Sequence, residues 1–274
     1  MPELPEVETI KGELLEKVKG KRVSRVKVEK EKSVKLVFPG EFEKILVGKV
    51  FSDIQRRGKY LIIYLDSEST LIVHLRVTGR LLFSKGGQEI PKYTKIIFTF
   101  DDGSQLFFSD MRGFGTAYLV KGTDFGLIPG LAQIGPEPLE SNFNPEVLAG
   151  LLRKKRGKIK PILMDQSFIA GVGNIYAQET LFRAGIHPER DVSTLSKEEI
   201  KTIYESLTTI LRQAIAHRGT STDTYVDLNG KKGSFEAQLQ VYGKEDQTCM
   251  KCGNPIRKKK IAGRGTCFCP KCQK

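Results

Sequence analysis

The chain has no apolar run long enough to span a bilayer, and no leader in which basic residues precede an apolar segment, because its first turn is acidic. These absences argue against a helical membrane protein and a secreted one, and predict a soluble protein working in the cytoplasm. Cysteine is missing before Cys249. A disulfide scaffold would spread its cysteines along the chain, so that class is excluded too. Acidic residues are in deficit: Lys+Arg 45 against Asp+Glu 32 leaves a net charge of +13. A polyanion therefore suits this chain better as a partner than an acidic-surface protein does. No internal repeat or low-complexity tract interrupts the 274 residues, which suffice for two domains with separate cores.

What is present concentrates at the two ends. All five cysteines lie in the last 26 residues, where Cys249-Met-Lys-Cys252 and Cys269-Pro-Lys-Cys272 form two CxxC pairs separated by 16 residues. That spacing predicts a tetrahedral four-thiolate zinc site, structural because four thiolates leave no open coordination position. Cys267 is the odd cysteine and, two residues from Cys269, a possible competing ligand. From Cys249 to Lys274 there are eight Lys/Arg and no Asp/Glu, a composition suited to gripping phosphates of DNA or RNA.

At the other end, Met1-Pro-Glu-Leu-Pro-Glu-Val-Glu8 places a small residue after the initiator methionine, whose removal would leave Pro2 as a free secondary amine beside carboxylates. An α-amino group titrates near pH ~8, so part of it is unprotonated at neutral pH and can form an iminium with a sugar C1′. The plain alternative is that Pro5 starts a helix and the terminus frays.

Between the ends the pattern is bipartite. Val7, Ile10, Leu14, Leu15 and Val18 repeat at helical spacing from Pro5 to a terminating Gly20. Runs at 23–28, 34–38, 60–65, 71–75, 96–100 and 105–108 read as strands, with Asp102-Gly103 as a hairpin turn, and predict an antiparallel sandwich. A proline-rich stretch from Gly126 to Glu146 reads as a linker. Beyond it, Ser196 to Glu199 forms a capping box ahead of a long helix carrying Ile200, Ile203, Tyr204, Leu207, Ile210, Leu211 and Ala214, ending near Arg218-Gly219. Ala170-Gly-Val-Gly173-Asn174 joins two helical segments. Such a turn either offers N–H groups to a phosphate or is only a tight connection, with Asn174 as an N-cap.

The residues MPELPEVE at the start, RRGKYL at 56–61, HLRVTGR at 74–80, DMRGFGT at 110–116, IGPEPL at 134–139, LMDQSFIAGVGNIYAQE at 163–179 and the terminal CMKC…AGRGTCFCPKC together carry a resemblance over the whole chain. The sequence resembles the bacterial formamidopyrimidine-DNA glycosylases of the helix–two-turn–helix superfamily. The resemblance implies an α+β fold: an amino-terminal β-sandwich flanked by helices over residues 1–130, a linker at 131–145, a helix–two-turn–helix domain with a base-covering loop at 146–236, and a β-hairpin zinc finger at 237–274. It implies a monomeric DNA-repair enzyme that excises oxidised purines from damaged duplex DNA and cleaves the abasic site, with one structural zinc ion and no protein partner.

Position by position, the resemblance makes Pro2 the nucleophile, Glu3 the acid/base group, and Glu6 a buried carboxylate orienting the terminus. It gives Lys59 a phosphate contact and a part in elimination. Lys160, Asn174 and Tyr242 would hold DNA, and Arg264 the phosphates flanking the flipped nucleotide. Lys59 and Arg264 can also be read as solvated turn charges, and Glu6 as a helix-dipole carboxylate. Void filling in the family uses a methionine, an arginine and a phenylalanine; here Arg112 and Phe114 are in place but the methionine position is Val77. Gly113 replaces a usual lysine and Asp223 an arginine frequent in the base-covering loop. These departures bear on lesion preference. An endonuclease VIII-like preference for oxidised pyrimidines, or a zinc-ribbon protein that binds distorted DNA without cutting it, are the alternatives.

Overall fold

Glu3 is still extended, and from it the chain enters helix α1 (Leu4–Lys17) with Pro5 in its first turn. There the missing N–H costs nothing and the fixed φ suits a helix start. Leu4, Val7, Ile10 and Leu14 are fully buried along one face, as their spacing predicts. The structure is a computed structural model and describes residues 1–222 and 224–274.

Nine strands follow, interrupted by a short helix: β1 (Val23–Val28), β2 (Val34–Lys35), α2 (Pro39–Leu46), β3 (Phe51–Arg57), β4 (Tyr60–Leu65), β5 (Ser69–His74), β6 (Gly79–Ser84), β7 (Thr94–Phe100), β8 (Gln105–Asp110) and β9 (Thr116–Lys121). They form two sheets, ordered β1-β7-β8-β6 and β2-β9-β5-β4-β3. All pairings are antiparallel except the two-residue parallel contact of β2 with β9. Val23, Ile96, Phe98 and Phe108 from one sheet and Ile54, Leu61, Ile63, Leu71 and Val73 from the other share one core with α1, which is the expected sandwich. Strands β3, β6 and β9 and helix α2 go beyond the sequence reading. Strand β3 carries Asp53, Arg56 and Arg57 among its apolar residues, which masks the alternation. The run at 34–38 is strand only at Val34–Lys35, since Leu36 takes a φ of 74° and Pro39 starts α2.

The proline-rich stretch is not all linker: α3 (Pro129–Ala132) and the start of α4 (Pro145–Arg153) lie within it. Both prolines sit at helix starts, where proline is tolerated. Then come α5 (Ile159–Met164), α6 (Asn174–Ala184) and α7 (Lys197–Ala216), followed by the hairpin β10 (Arg257–Ile261) and β11 (Arg264–Phe268). Helix α7 ends before the expected Arg218-Gly219, and these two residues instead take positive φ of 60° and 81°.

Two compact units result: Met1–Ala132 with His217–Glu236, and Gln133–Ala216 with Ala237–Lys274. Segment 217–236 therefore belongs with the sandwich rather than with the helices before it. Buried carboxylates of α1 explain this. Glu13 accepts from the Leu228 N–H at 2.8 Å and pairs with Arg218, which also reaches Asp227 at 2.8 Å. Leu228 and Tyr225 complete the sandwich core.

Candidate active site and DNA-binding elements

In the first unit, the capping arrangement of α1 brings Glu3 and Glu6 together. The Glu3 N–H donates to Glu6 Oε2 at 2.7 Å, and Glu6 Oε1 accepts from the Thr220 N–H at 2.8 Å. Both carboxylates are buried, at 2 % and 1 % exposure, beside a buried Pro2. A buried carboxylate persists because such bonds replace its lost water. Gly219 must be glycine here: its φ is 81° and a Cβ would lie 2.7 Å from Glu6 Oε1. Glu6 thus ties the amino-terminal segment to a segment more than two hundred residues later. Tyr225 lies in the same environment, its phenol pushed up by burial and then by the nearby Glu6, and its OH donates to the Arg218 carbonyl at 3.1 Å.

Lys59 occupies the two-residue turn between β3 and β4, next to Gly58 at φ 55°. It is 6 % exposed, so it is not the solvated turn charge of the plain reading. His74, at the end of β5 opposite Tyr60, is also buried and packs edge-on against that ring at 4.3 Å. Burial first, then the charges of Arg76 and Lys59, pull its imidazole down to about 3, leaving it neutral. Its Nδ1 accepts from the Arg76 N–H at 2.9 Å.

The turn carrying Val77 and the loop carrying Arg112 and Phe114 are joined by Asp110. Its carboxylate accepts from the Thr78 hydroxyl, from the Arg112 N–H at 3.2 Å and from the Gly115 N–H at 2.6 Å. Phe114 is 52 % exposed, with the Arg112 guanidinium 4.9 Å from its ring centroid. An exposed aromatic held by a rigid loop suits insertion into a base stack. Gly113 supplies a φ of 69° at the loop's apex, and Val77 is half-buried. Asp223 lies outside the described residues.

In the second unit, Lys160, Asn174 and the zinc hairpin converge. Lys160 is 1 % exposed, and its Nζ donates to Asn174 Oδ1 at 2.7 Å and to Thr266 Oγ1 at 2.8 Å. Asn174 Nδ2 donates to the Gly265 carbonyl at 3.3 Å. Gln178, one turn further along α6, accepts from the Cys267 N–H at 2.6 Å. The glycine-rich turn is shaped by Gln166, which accepts from the Gly171 N–H and donates to the Val172 carbonyl. Arg264 is exposed on β11 and flanks a cleft shared with Lys160. Tyr242 is positioned through its N–H, which donates at 2.8 Å to buried Glu179.

Cys249, Cys252, Cys269 and Cys272 place their sulfurs within 4.8 Å of one another. Zinc–sulfur bonds of ~2.3 Å in a tetrahedron require sulfurs about 3.8 Å apart. Cys249 to Cys272 is 3.9 Å and Cys252 to Cys269 is 3.4 Å, so the residues fit one structural zinc. Cys267 is not a competing ligand. It lies outside the four-sulfur cluster: its N–H donates to Gln178 Oε1, and its buried side chain joins the apolar cluster of Phe182, Val241 and Ile256.

Sequence reasoning missed the supporting groups: Asp110, Gln166, Gln178, Thr266 and Thr220. Thr220 alone stands outside the motifs quoted above; the other four lie inside them, at positions given no role there.

Three family models match the chain: the formamidopyrimidine-DNA glycosylase N-terminal domain over residues 1–117, the formamidopyrimidine-DNA glycosylase H2TH domain over 134–226, and a zinc finger found in FPG and IleRS over 246–274. Formamidopyrimidine-DNA glycosylases of Carboxydothermus hydrogenoformans and Pelotomaculum thermopropionicum are 44% and 43% identical to it. They align over 100% of this chain and 100% and 99% of their own lengths. A Lactococcus lactis FPG mutant bound to Fapy-dG-containing DNA superposes with a TM-score of 0.92 at 40% identity, covering 99% of each chain. The L. lactis enzyme bound to abasic-site DNA gives 0.92 at 39%, again over 99% of each. A MutM complex with DNA containing carbocyclic 8-oxo-G gives 0.91 at 39%, also over 99% of each. From its buried amino-terminal carboxylates to its four-cysteine hairpin, this chain belongs to the formamidopyrimidine-DNA glycosylase family.

Proposed function

We infer that this protein is a base-excision repair enzyme that removes oxidised purines from damaged duplex DNA and then cleaves the abasic strand. The observation that carries this is the end-to-end match to family members bound to Fapy-dG, carbocyclic 8-oxo-G and abasic-site DNA. No helix among the described residues is long and apolar enough to cross a membrane. We place its work in the cytoplasm, on the chromosome.

The chemistry assigned to the site residues follows from their types. With Met1 removed, the Pro2 nitrogen attacks C1′. The glycosidic bond breaks, its electron pair leaves with the base, and the base takes up a proton. Opening of the sugar ring then gives an iminium, with the ring oxygen protonated. The iminium acidifies the C2′ proton; Glu3 assists its removal as the 3′ phosphate departs, and a second elimination releases the 5′ phosphate. Glu6 orients the terminus. Lys59 contacts phosphate and supports the eliminations. Lys160, Asn174, Tyr242 and Arg264 hold the DNA backbone, while Val77, Arg112 and Phe114 fill the space left by the extruded base. The zinc ion holds the hairpin that presents Arg264.

Borohydride reduction during reaction with an 8-oxoguanine duplex tests the central step. A covalent enzyme–DNA adduct should form on the peptide beginning at Pro2, and a protein with a blocked or extended amino terminus should give none. Wild-type cleavage by that blocked protein would overturn the mechanism.

A further inference from the structure

The Lys59 turn is braced from below by a side chain to which the chemistry above gives no role. Arg56, on β3, is an arginine whose side chain is only 9 % exposed. Its Nε donates to Glu8 Oε2 at 2.7 Å and its NH1 donates to the carbonyl of Gly58 at 3.0 Å. The fork of one guanidinium thus grips a carboxylate on α1 and the backbone of the turn residue immediately before Lys59. Glu8 is held in turn by Lys11, 2.5 Å away on the same helix. Burial pushes the Glu8 carboxyl up, but the bonds from Lys11 and Arg56 outweigh it and hold the group below its usual value. Glu8 therefore stays ionised.

The two-residue turn, with a positive φ at its first position, joins strands paired at Arg57–Tyr60 and Arg56–Leu61, and how it is held beyond those pairs sets where Lys59 points. A planar guanidinium bonded at two points holds it; a lysine in its place would satisfy one point or the other. Glu3 caps helix α1 and Glu8 lies five residues further along it. The Glu8–Arg56–Gly58 chain thus sets the Lys59 turn relative to the amino-terminal segment.

We propose that Arg56, anchored by Glu8, is a positioning residue that holds the Gly58–Lys59 turn so that Lys59 acts in strand cleavage. The proposal rests on the reading of Lys59 as an elimination residue, and it adds the device that aims it.

The test compares single-turnover rates of full-length protein on an 8-oxoguanine duplex and on a preformed abasic-site duplex. Arg56→Ala should slow abasic-strand cleavage by roughly 10- to 100-fold, the scale of an ångström-size misplacement, and slow base release less. Arg56→Lys, which keeps the charge and the fold, should fall between. The double variant Arg56→Ala/Lys59→Ala should cleave no more slowly than Lys59→Ala alone, within about twofold, because the first change acts through the second residue. Equal slowing of both steps by Arg56→Lys, or multiplicative losses in the double variant, would overturn the proposal while leaving Lys59 its role. Wild-type cleavage by Lys59→Ala would remove the Lys59 reading, and the proposal with it.

Discussion

Replacing Glu6 by glutamine is the most informative single change in the first unit, because the two side chains have the same shape and differ only in charge and hydrogen-bonding capacity. Glu6 is 1 % exposed and receives N–H bonds on both oxygens, from Glu3 at 2.7 Å and Thr220 at 2.8 Å. Glutamine has one carbonyl oxygen, so one of these N–H groups must face an NH₂. Making the surviving bond neutral costs about 1 kcal/mol, and stranding the other buried donor costs about 1–3 kcal/mol. Relief of carboxylate desolvation offsets part of this, leaving a net loss of about 2–3 kcal/mol. For a cooperative unit of roughly 150 residues that lowers Tm by about 5–10 °C. Glu16→Gln, on the exposed face of the same helix, should stay within about 0.5 kcal/mol. Calorimetry gives the global figure, and amide exchange at Thr220 gives the local one: its protection should fall at least about tenfold as the loop loses its anchor. A Glu6→Gln protein melting within 2 °C of wild type (about one control's worth of change), with Thr220 still protected, would refute the bridge.

Other outcomes follow from the zinc hairpin and from His74. Cys252→Ala should abolish the one zinc per chain and unfold the hairpin, since metal binding is its folding free energy. Cys267→Ser should retain zinc but lose about 1–2 kcal/mol, because a hydroxyl then replaces a thiol against Phe182, Val241 and Ile256; loss of metal from Cys267→Ala, read by atomic absorption, would contradict the ligand set. His74 is held neutral down to about pH 3 in the folded state against an ordinary value of 6.5. The unfolded chain therefore binds the extra proton between those values, and the contribution of His74 to stability, complete above pH 6.5, declines by up to about 1.4 kcal/mol per pH unit as the pH falls toward 3. Urea unfolding of wild type and His74→Gln from pH 7 to 4 should show a shallower acid slope in the variant, and parallel slopes would sink this assignment.

Local spacing carried much of the molecule. The zinc ligands were legible because four thiolates in two CxxC pairs need only a short hairpin to meet. Helices α1 and α7 were legible because their apolar residues recur at the helical period and their caps are written in adjacent residues. Charged strand β3 and eight-residue α2 were not, since their patterns are short and mixed.

What the tertiary structure decided is which polar groups meet inside. Nothing near Glu6 in sequence points to the Thr220 amide, nothing near Lys160 to the Thr266 hydroxyl, and nothing near Arg56 to Glu8 as its anchor. Segment 217–236 adjoins α7 in sequence yet packs with the sandwich, because Glu13 and Glu6 on α1 satisfy its backbone. The same holds for Cys267, whose distance from Cys269 in sequence admits coordination while the fold buries it with Phe182, Val241 and Ile256, outside the four-sulfur cluster. Propensity and spacing act over a few residues and are written in the sequence. A buried charge or N–H finds its partner only through the requirement that it be satisfied once water is gone, and that requirement is met by whichever distant backbone the packed fold brings within reach.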